Sequence, residues 1–423
     1  MKLGFSETDI TPKTPVIMVG FNRADNVSRG VRDSLLAQVS VWENNETCCL
    51  VTIDNIGFNK SEANLLRDRI GTMIGVSREK VMLSFSHTHA AVHVTAEKEY
   101  YDALCQKICL AAKKAKASMA EVSVGWDCVE ADIGNNRREF SEIVDRRVGV
   151  LKVSSRNTKD VKLIILRLTA HCNVLKKDNY LISADYFGAV RKVLREKYLC
   201  PIMVVQGSAG NIAPKYYQAS FTPIDGQGKA YINCDDALEK MAQEVSKKVA
   251  PILNAISMKP NATVYAYSKF VLLRSKVPSL TEAHAIADEA LKYCGINGQK
   301  WLEQVEAFHN SGISFQEESL EIQYFGIGSW CLCGIPNETM TEFALETELL
   351  LQNPFFYFNG YTNGCGSYFP TKEEYSLGGY EVYWSMLLYF ADYGRLYPYD
   401  CEAFDTVIAS AVENFIVDKM YRI

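Results

Sequence analysis

Between residues 48 and 119 the chain alternates short apolar runs with longer amphipathic ones. That alternation restricts the fold more than any other feature. Residues 48–56 (CCLVTIDNI) predict a buried strand and 61–74 an amphipathic helix. Residues 81–86 (VMLSFS) predict a second strand, and 100–119 a long helix with a lysine-rich outer face. Two strands separated by a helix need a crossover, so this order calls for an α/β fold, with mixed or largely parallel β-sheets flanked by helices. Further strands are expected at 122–126, 148–153, 163–168 and 202–205, with a helix at 184–197.

The second half reads differently. Helices are expected at 234–253, at 280–309 with a break at the turn signal Gly295–Gly298, and at 339–351 and 404–421. Residues 320–336 (LEIQYFGIGSWCLCGIP) predict a hairpin. No internal repeat or low-complexity linker divides the chain. It is therefore read as one unit over 1–423, with a soft seam near 220–235 where Pro, Gly and Asp collect.

Charge and thiols narrow the function classes. A net charge of −5 with scattered Lys and Arg argues against a nucleic-acid partner. No apolar run is long enough for an integral membrane segment. The thirteen cysteines form no C-x-x-C pair, and MKLGFSETDITPKTP lacks the apolar core of a signal peptide. Free thiols and a cytoplasmic location are the expectation. The sequence does not fix the oligomeric state.

Histidine is scarce, with six in the chain, so its placement carries information. His87 and His89 form an H-x-H at the end of VMLSFS, where residues i and i+2 can face one site. The carboxyl ends of strands are also where open α/β sheets gather ligands. His171 ends the apolar run LIILRLTA in the same kind of place. It would complete a zinc triad with one or both of the first two, or be a structural histidine satisfied by backbone. His93, His284 and His309 read as surface residues.

Six motifs in order carry a resemblance to a known family. These are GFSETDITP with MVGF and RGVRDSLLA, then SHTH (86–89), NNR (135–137), TAH with ISADYFG, QGSAGNIAP (206–214), and GIPNET with YFPTKEEYSLGGYE. Together they resemble the N-terminal catalytic domain of the neutral/alkaline non-lysosomal ceramidases, without the C-terminal immunoglobulin-like domain. The resemblance implies a ceramidase-like catalytic domain with one Zn2+ per chain, held by His87, His171, Glu338 and Tyr368. It also implies a proton-carrying His89, and Arg137 and Tyr380 as donors to a developing oxyanion. Taken alone, Glu338 reads as a first-turn helix carboxylate, Arg137 as part of a surface charge run, and Tyr380 as a core aromatic.

The chain departs from the family in the substrate loop, Gly210, Asn211 and Ala213. There Ala213 stands where the ceramidases have serine, so a hydroxyl is lost. Ala90-Ala91-Val92 and Cys172 also replace the usual residues after the two histidine motifs. The expected function is zinc-dependent hydrolysis of a C–N amide or related ester by a metal-activated water, with a small soluble molecule as substrate. The alternatives are an amidohydrolase of ceramide or another N-acyl lipid, and a zinc- or ligand-binding protein without turnover.

Overall fold

Strand Thr47–Ile53 pairs in parallel with Val81–Phe85 across the helix Lys60–Ile74, the crossover that the alternation predicts. The helix starts where Asn59 and Glu62 cap each other reciprocally, and it stops at Gly75, whose φ of 77° only glycine adopts cheaply. The computed structural model describes residues 1–138, 140–216 and 234–422. The seam expected near 220–235 falls, apart from its last two residues, outside them.

The main sheet has eight strands. In spatial order they are Val81–Phe85, Thr47–Ile53, Leu36–Glu43, Lys2–Asp9, Ala120–Glu130, Arg147–Ser155, Val161–Leu168 and Ile202–Gln206. Its two edge pairs are parallel and the rest antiparallel. One succession occurs twice: an antiparallel strand pair, a helix, a parallel strand, a second helix. The first runs from Leu36 to Ala117, and the second from Arg147 through the helices Asp185–Tyr198 and Cys234–Ala255. The doubling lies in topology, where the sequence shows no repeat.

Both faces of this sheet are covered, which explains the unbroken apolar runs. Cys49, Val51, Val150, Ile164 and Leu166 face the four helices of the two modules. Their neighbours Cys48, Leu50, Leu151, Leu163 and Ile165 face a second sheet. That sheet runs Val264–Lys276, Phe315–Ile327, Trp330–Gly334, Phe356–Asn359, and includes the expected hairpin. Its far side packs Tyr324, Cys333 and Phe358 against the helices Thr341–Leu351 and Ala403–Arg422. The layers are helix, sheet, sheet, helix. The helices Leu280–Cys294, Gln299–Asn310 and Met386–Tyr393 form a separate cluster at one end.

Buried charge ties the layers together. Arg167 on the main sheet donates to Asp145 at 2.6 Å, to Asn359 Oδ1 at 2.9 Å and to the Phe358 carbonyl at 3.0 Å, both of the latter on the second sheet. Arg67 pairs with Glu321 through two contacts of 2.7 and 2.8 Å. Cys105, Cys109, Cys172 and Cys365 are buried free thiols. Among the described residues no helix is long and apolar enough to cross a membrane.

Candidate metal centre

His87 and His89 follow the strand Val81–Phe85, and His171 follows Val161–Leu168. The first two rings meet, but not through the strand pleat. The strand has ended, and His87 takes a left-handed φ of 60°, uncommon for a residue with a Cβ. The ring centroids of the three histidines lie 4.6 to 5.0 Å apart. His89 is seated by Gly20, where a Cβ would come within 2.7 Å of the imidazole.

Each ring has committed one nitrogen to the backbone. The Nδ1 atoms of His87, His89 and His171 lie 2.6, 2.9 and 3.1 Å from the carbonyls of Ile56, Gly20 and Ala209. A carbonyl only accepts, so each Nδ1 carries a ring proton, and in His89 and His171, which burial keeps neutral, Nε2 presents a lone pair. The Nε2 atoms of His89 and His171 are 3.1 Å apart. Glu338 Oε2 is 3.1 Å from His87 Nε2 and 3.6 Å from His171 Nε2.

Burial keeps His89 and His171 neutral. Desolvation, aided by His87 and Arg137, pushes His89 well below its ordinary value, and desolvation with Arg137, His87 and His89 depresses His171 likewise. Burial alone would raise Glu338, but contacts with His87 and Tyr389 and the charge of Arg137 outweigh it and hold the carboxyl below its ordinary range. Facing lone pairs in a dry site repel unless a cation lies between them. Ligand atoms of a tetrahedral zinc lie roughly 3.3–3.5 Å from one another, and the observed separations bracket that span. The three histidines, whose ligand atoms lie within 4.8 Å of one another, can hold a metal ion.

The other expected residues converge on the same place. Glu338 is not in a first helical turn. It forms the two-residue strand Glu338–Thr339, whose parallel partner sets Tyr368 beside it, and the helix starts at Thr341. Arg137 is not part of a solvated run: its Nη1 donates to Tyr368 Oη at 3.0 Å and to Glu381 Oε1 at 3.1 Å. The Tyr380 ring lies 5.9 Å from that of Tyr368. His89, read as a proton carrier beside the metal, stands within the cluster of potential ligands.

The loop residues act from beneath. A Cβ on Gly210 would lie 2.6 Å from the Glu338 carbonyl, so only glycine lets that strand pass. Asn211 accepts from the Thr341 N–H at 2.8 Å, and its carbonyl accepts from the Arg137 N–H at 2.8 Å. Ala213 is buried and pairs with Asn135.

Above the rings is a cavity of about 670 Å³, and none of Gly210, Asn211 and Ala213 lines it. His87, His89, Glu338, Tyr368 and Tyr380 line its floor, and the Cys294–Asn297 turn with Leu388, Tyr389, Ala391, Asp392 and Tyr393 are part of its wall. His93, expected on the surface, is half-buried and lines it too.

Four residues escaped the sequence reading. Tyr361 Oη is 3.4 Å from Glu338 Oε2, Tyr389 donates to Glu338 Oε1, Cys365 Sγ is 3.8 Å from His87 Nδ1, and Glu381 holds Arg137. A weak signal existed for Tyr361. Asn359-Gly360 and Asn363-Gly364 bracket it with turn dipeptides, and its φ is 53°.

No family model matches the chain, and no curated protein matches it. Solved structures do. A neutral ceramidase from Pseudomonas aeruginosa aligns with 97% of this chain and 74% of its own, at a TM-score of 0.70 and 18% identity. A ceramidase complexed with C2 aligns with 90% of this chain and 71% of its own, at a TM-score of 0.68 and 17% identity. The fold is that of a neutral ceramidase-like domain.

Proposed function

We propose that this protein is a zinc-dependent hydrolase of a C–N amide or related ester bond, acting on a small molecule, with 1–423 forming one catalytic unit. The observation that carries the reading is the convergence of three histidine Nε2 atoms on one another and on the Glu338 carboxylate, with His87, His89 and Glu338 at the floor of the cavity. His87, His171 and Glu338, with Tyr368 beside them, would hold one zinc ion. When bound there, zinc supplies a Lewis acid that polarises a carbonyl and lowers the pKa of a coordinated water.

The chain's own groups supply the rest. His89, neutral and with Nε2 turned inward, accepts a proton at that atom and returns it to the leaving nitrogen. Arg137, held by Glu381, and the Tyr380 hydroxyl donate to the oxygen of the scissile carbonyl as it gains charge. Leu388, Tyr389, Ala391, Asp392, Tyr393 and the Cys294–Asn297 turn wall the space in which the substrate would sit. A volume of about 670 Å³ falls within the roughly 300–1,000 Å³ of small-molecule sites.

A second reading, hydrolysis of ceramide or another N-acyl lipid, is favoured by the fold shared with two ceramidases. One experiment separates them: metal analysis of purified protein, followed by hydrolysis of ceramide beside short-chain N-acyl amines, N-acyl sugars and simple esters. Ceramide turnover with kcat/KM above every soluble candidate selects the lipid. A metal-free protein that cleaves none of them defeats both.

A further inference from the structure

We infer that Tyr389 is a positioning residue that makes Glu338 a one-oxygen ligand; the inference rests on the metal reading of the same site. The two oxygens of Glu338 face different partners. Oε2 is turned to His87 and His171, at 3.1 and 3.6 Å, whereas Oε1 accepts from the Tyr389 hydroxyl. A phenol proton on Oε1 occupies the oxygen that would otherwise swing onto the metal.

The helix delivers this hydroxyl with little freedom. Tyr389 and Tyr393 are one turn apart on Met386–Tyr393 and share a face. Tyr393 is clamped twice, donating to the Phe58 carbonyl at 2.7 Å and accepting from the Cys365 N–H at 3.1 Å. A π-turn at Tyr380–Trp384, behind Gly378 and Gly379 with φ of 64° and 85°, precedes the helix. Tyr393 seats the helix and Tyr389 reaches from it to the carboxylate. Because both tyrosines line the cavity, the wall that meets substrate is the element that fixes the ligand.

The test compares the parent chain with Tyr389→Phe and Tyr393→Phe, each stripped of metal and titrated with zinc against a chromophoric chelator, then with cobalt(II). Loss of a hydrogen bond behind a ligand weakens metal binding by about 10–100-fold. That loss is expected for Tyr389→Phe, with weaker cobalt visible bands as the second oxygen raises the coordination number. Tyr393→Phe should stay within about threefold of the parent. Unchanged zinc affinity and cobalt spectrum in Tyr389→Phe overturn the inference, and so does an equal loss in both variants, which would mean that helix seating alone matters. Should Tyr389→Phe not fold, Tyr389→His keeps an N–H donor. It supports the inference if it binds within about tenfold of the parent, and overturns it if binding is lost. A parent that binds neither metal defeats the metal reading itself.

Discussion

The Nε2 atoms of His89 and His171 face each other at 3.1 Å, and each ring has already given its proton to a backbone carbonyl. Burial removes water as a mediator and disfavours a second proton on either ring. What remains is a demand for a shared cation, and the following expectations test it.

One zinc per chain is expected from elemental analysis of protein purified without chelators. His87→Ala and His171→Ala should each lose most of it, since each removes a lone pair from the cluster. Full metal content in both variants would rule out the assigned ligands.

Tyr380→Phe and His89→Ala are expected to keep the metal and to lose about 10²–10³ in kcat on a confirmed substrate. His89 is the sharper case because its Nε2 stands among the potential ligands. Metal lost from His89→Ala would make it a ligand and end its proton-carrying assignment.

The metal-free protein should lose stability in mild acid. His89 and His171 are depressed well below 6.5 in the folded chain, so between that value and their folded ones the unfolded chain binds protons that the native one refuses. The stabilisation is complete above about pH 6.5 and declines as the pH falls, by up to about 1.4 kcal/mol per unit for each ring. Thermal unfolding in EDTA from about pH 8 to 5 reads this slope, and His89→Gln should flatten it. A midpoint independent of pH over that range contradicts it.

Gly210→Ala is expected to destabilise the fold by about 1–3 kcal/mol and to weaken metal binding. Its new Cβ would press on the carbonyls of Glu338 and Thr339, at 2.6 and 2.9 Å. Gly75→Ala, with no atom within 4 Å of the added carbon, should leave metal affinity alone. Equal affinities for both variants would show that the loop does not hold Glu338.

Asp145→Ala should cost about 3–5 kcal/mol, because it strands the wholly buried Arg167 between the two sheets. Urea unfolding measures it. A loss below about 1 kcal/mol would mean that Asn359 and the Phe358 carbonyl suffice for that guanidinium.

Local pattern made part of this legible. His87, His89 and His171 stood out because a scarce residue recurred after apolar strands, and the crossover around Lys60–Ile74 followed from period and order. Glu338, Tyr368, Arg137 and Tyr380 were reachable only through resemblance, since a carboxylate or one of 23 tyrosines has no signature of its own. The pairing of Glu338 with Tyr368 rests on a ladder two residues long, too short for periodicity to register. Strand Val264–Lys276 went unread because its second half is largely exposed and mixes Phe270 and Leu272 with Lys and Arg. Tyr389 looked like any apolar-helix residue, because its partner lies 51 positions away.

The two halves of the chain contribute different electrical goods to one centre. The strands before residue 172 deliver imidazoles, while Glu338 and Tyr368 come from the part of the chain built around the second sheet. A dication resting on the imidazoles alone would keep its whole charge inside a dry interior. Its neutralisation waits for the carboxylate that the later segment brings. Loading with metal should therefore follow the docking of the second half in time, so that on refolding, zinc uptake reports the last long-range assembly step and not the first.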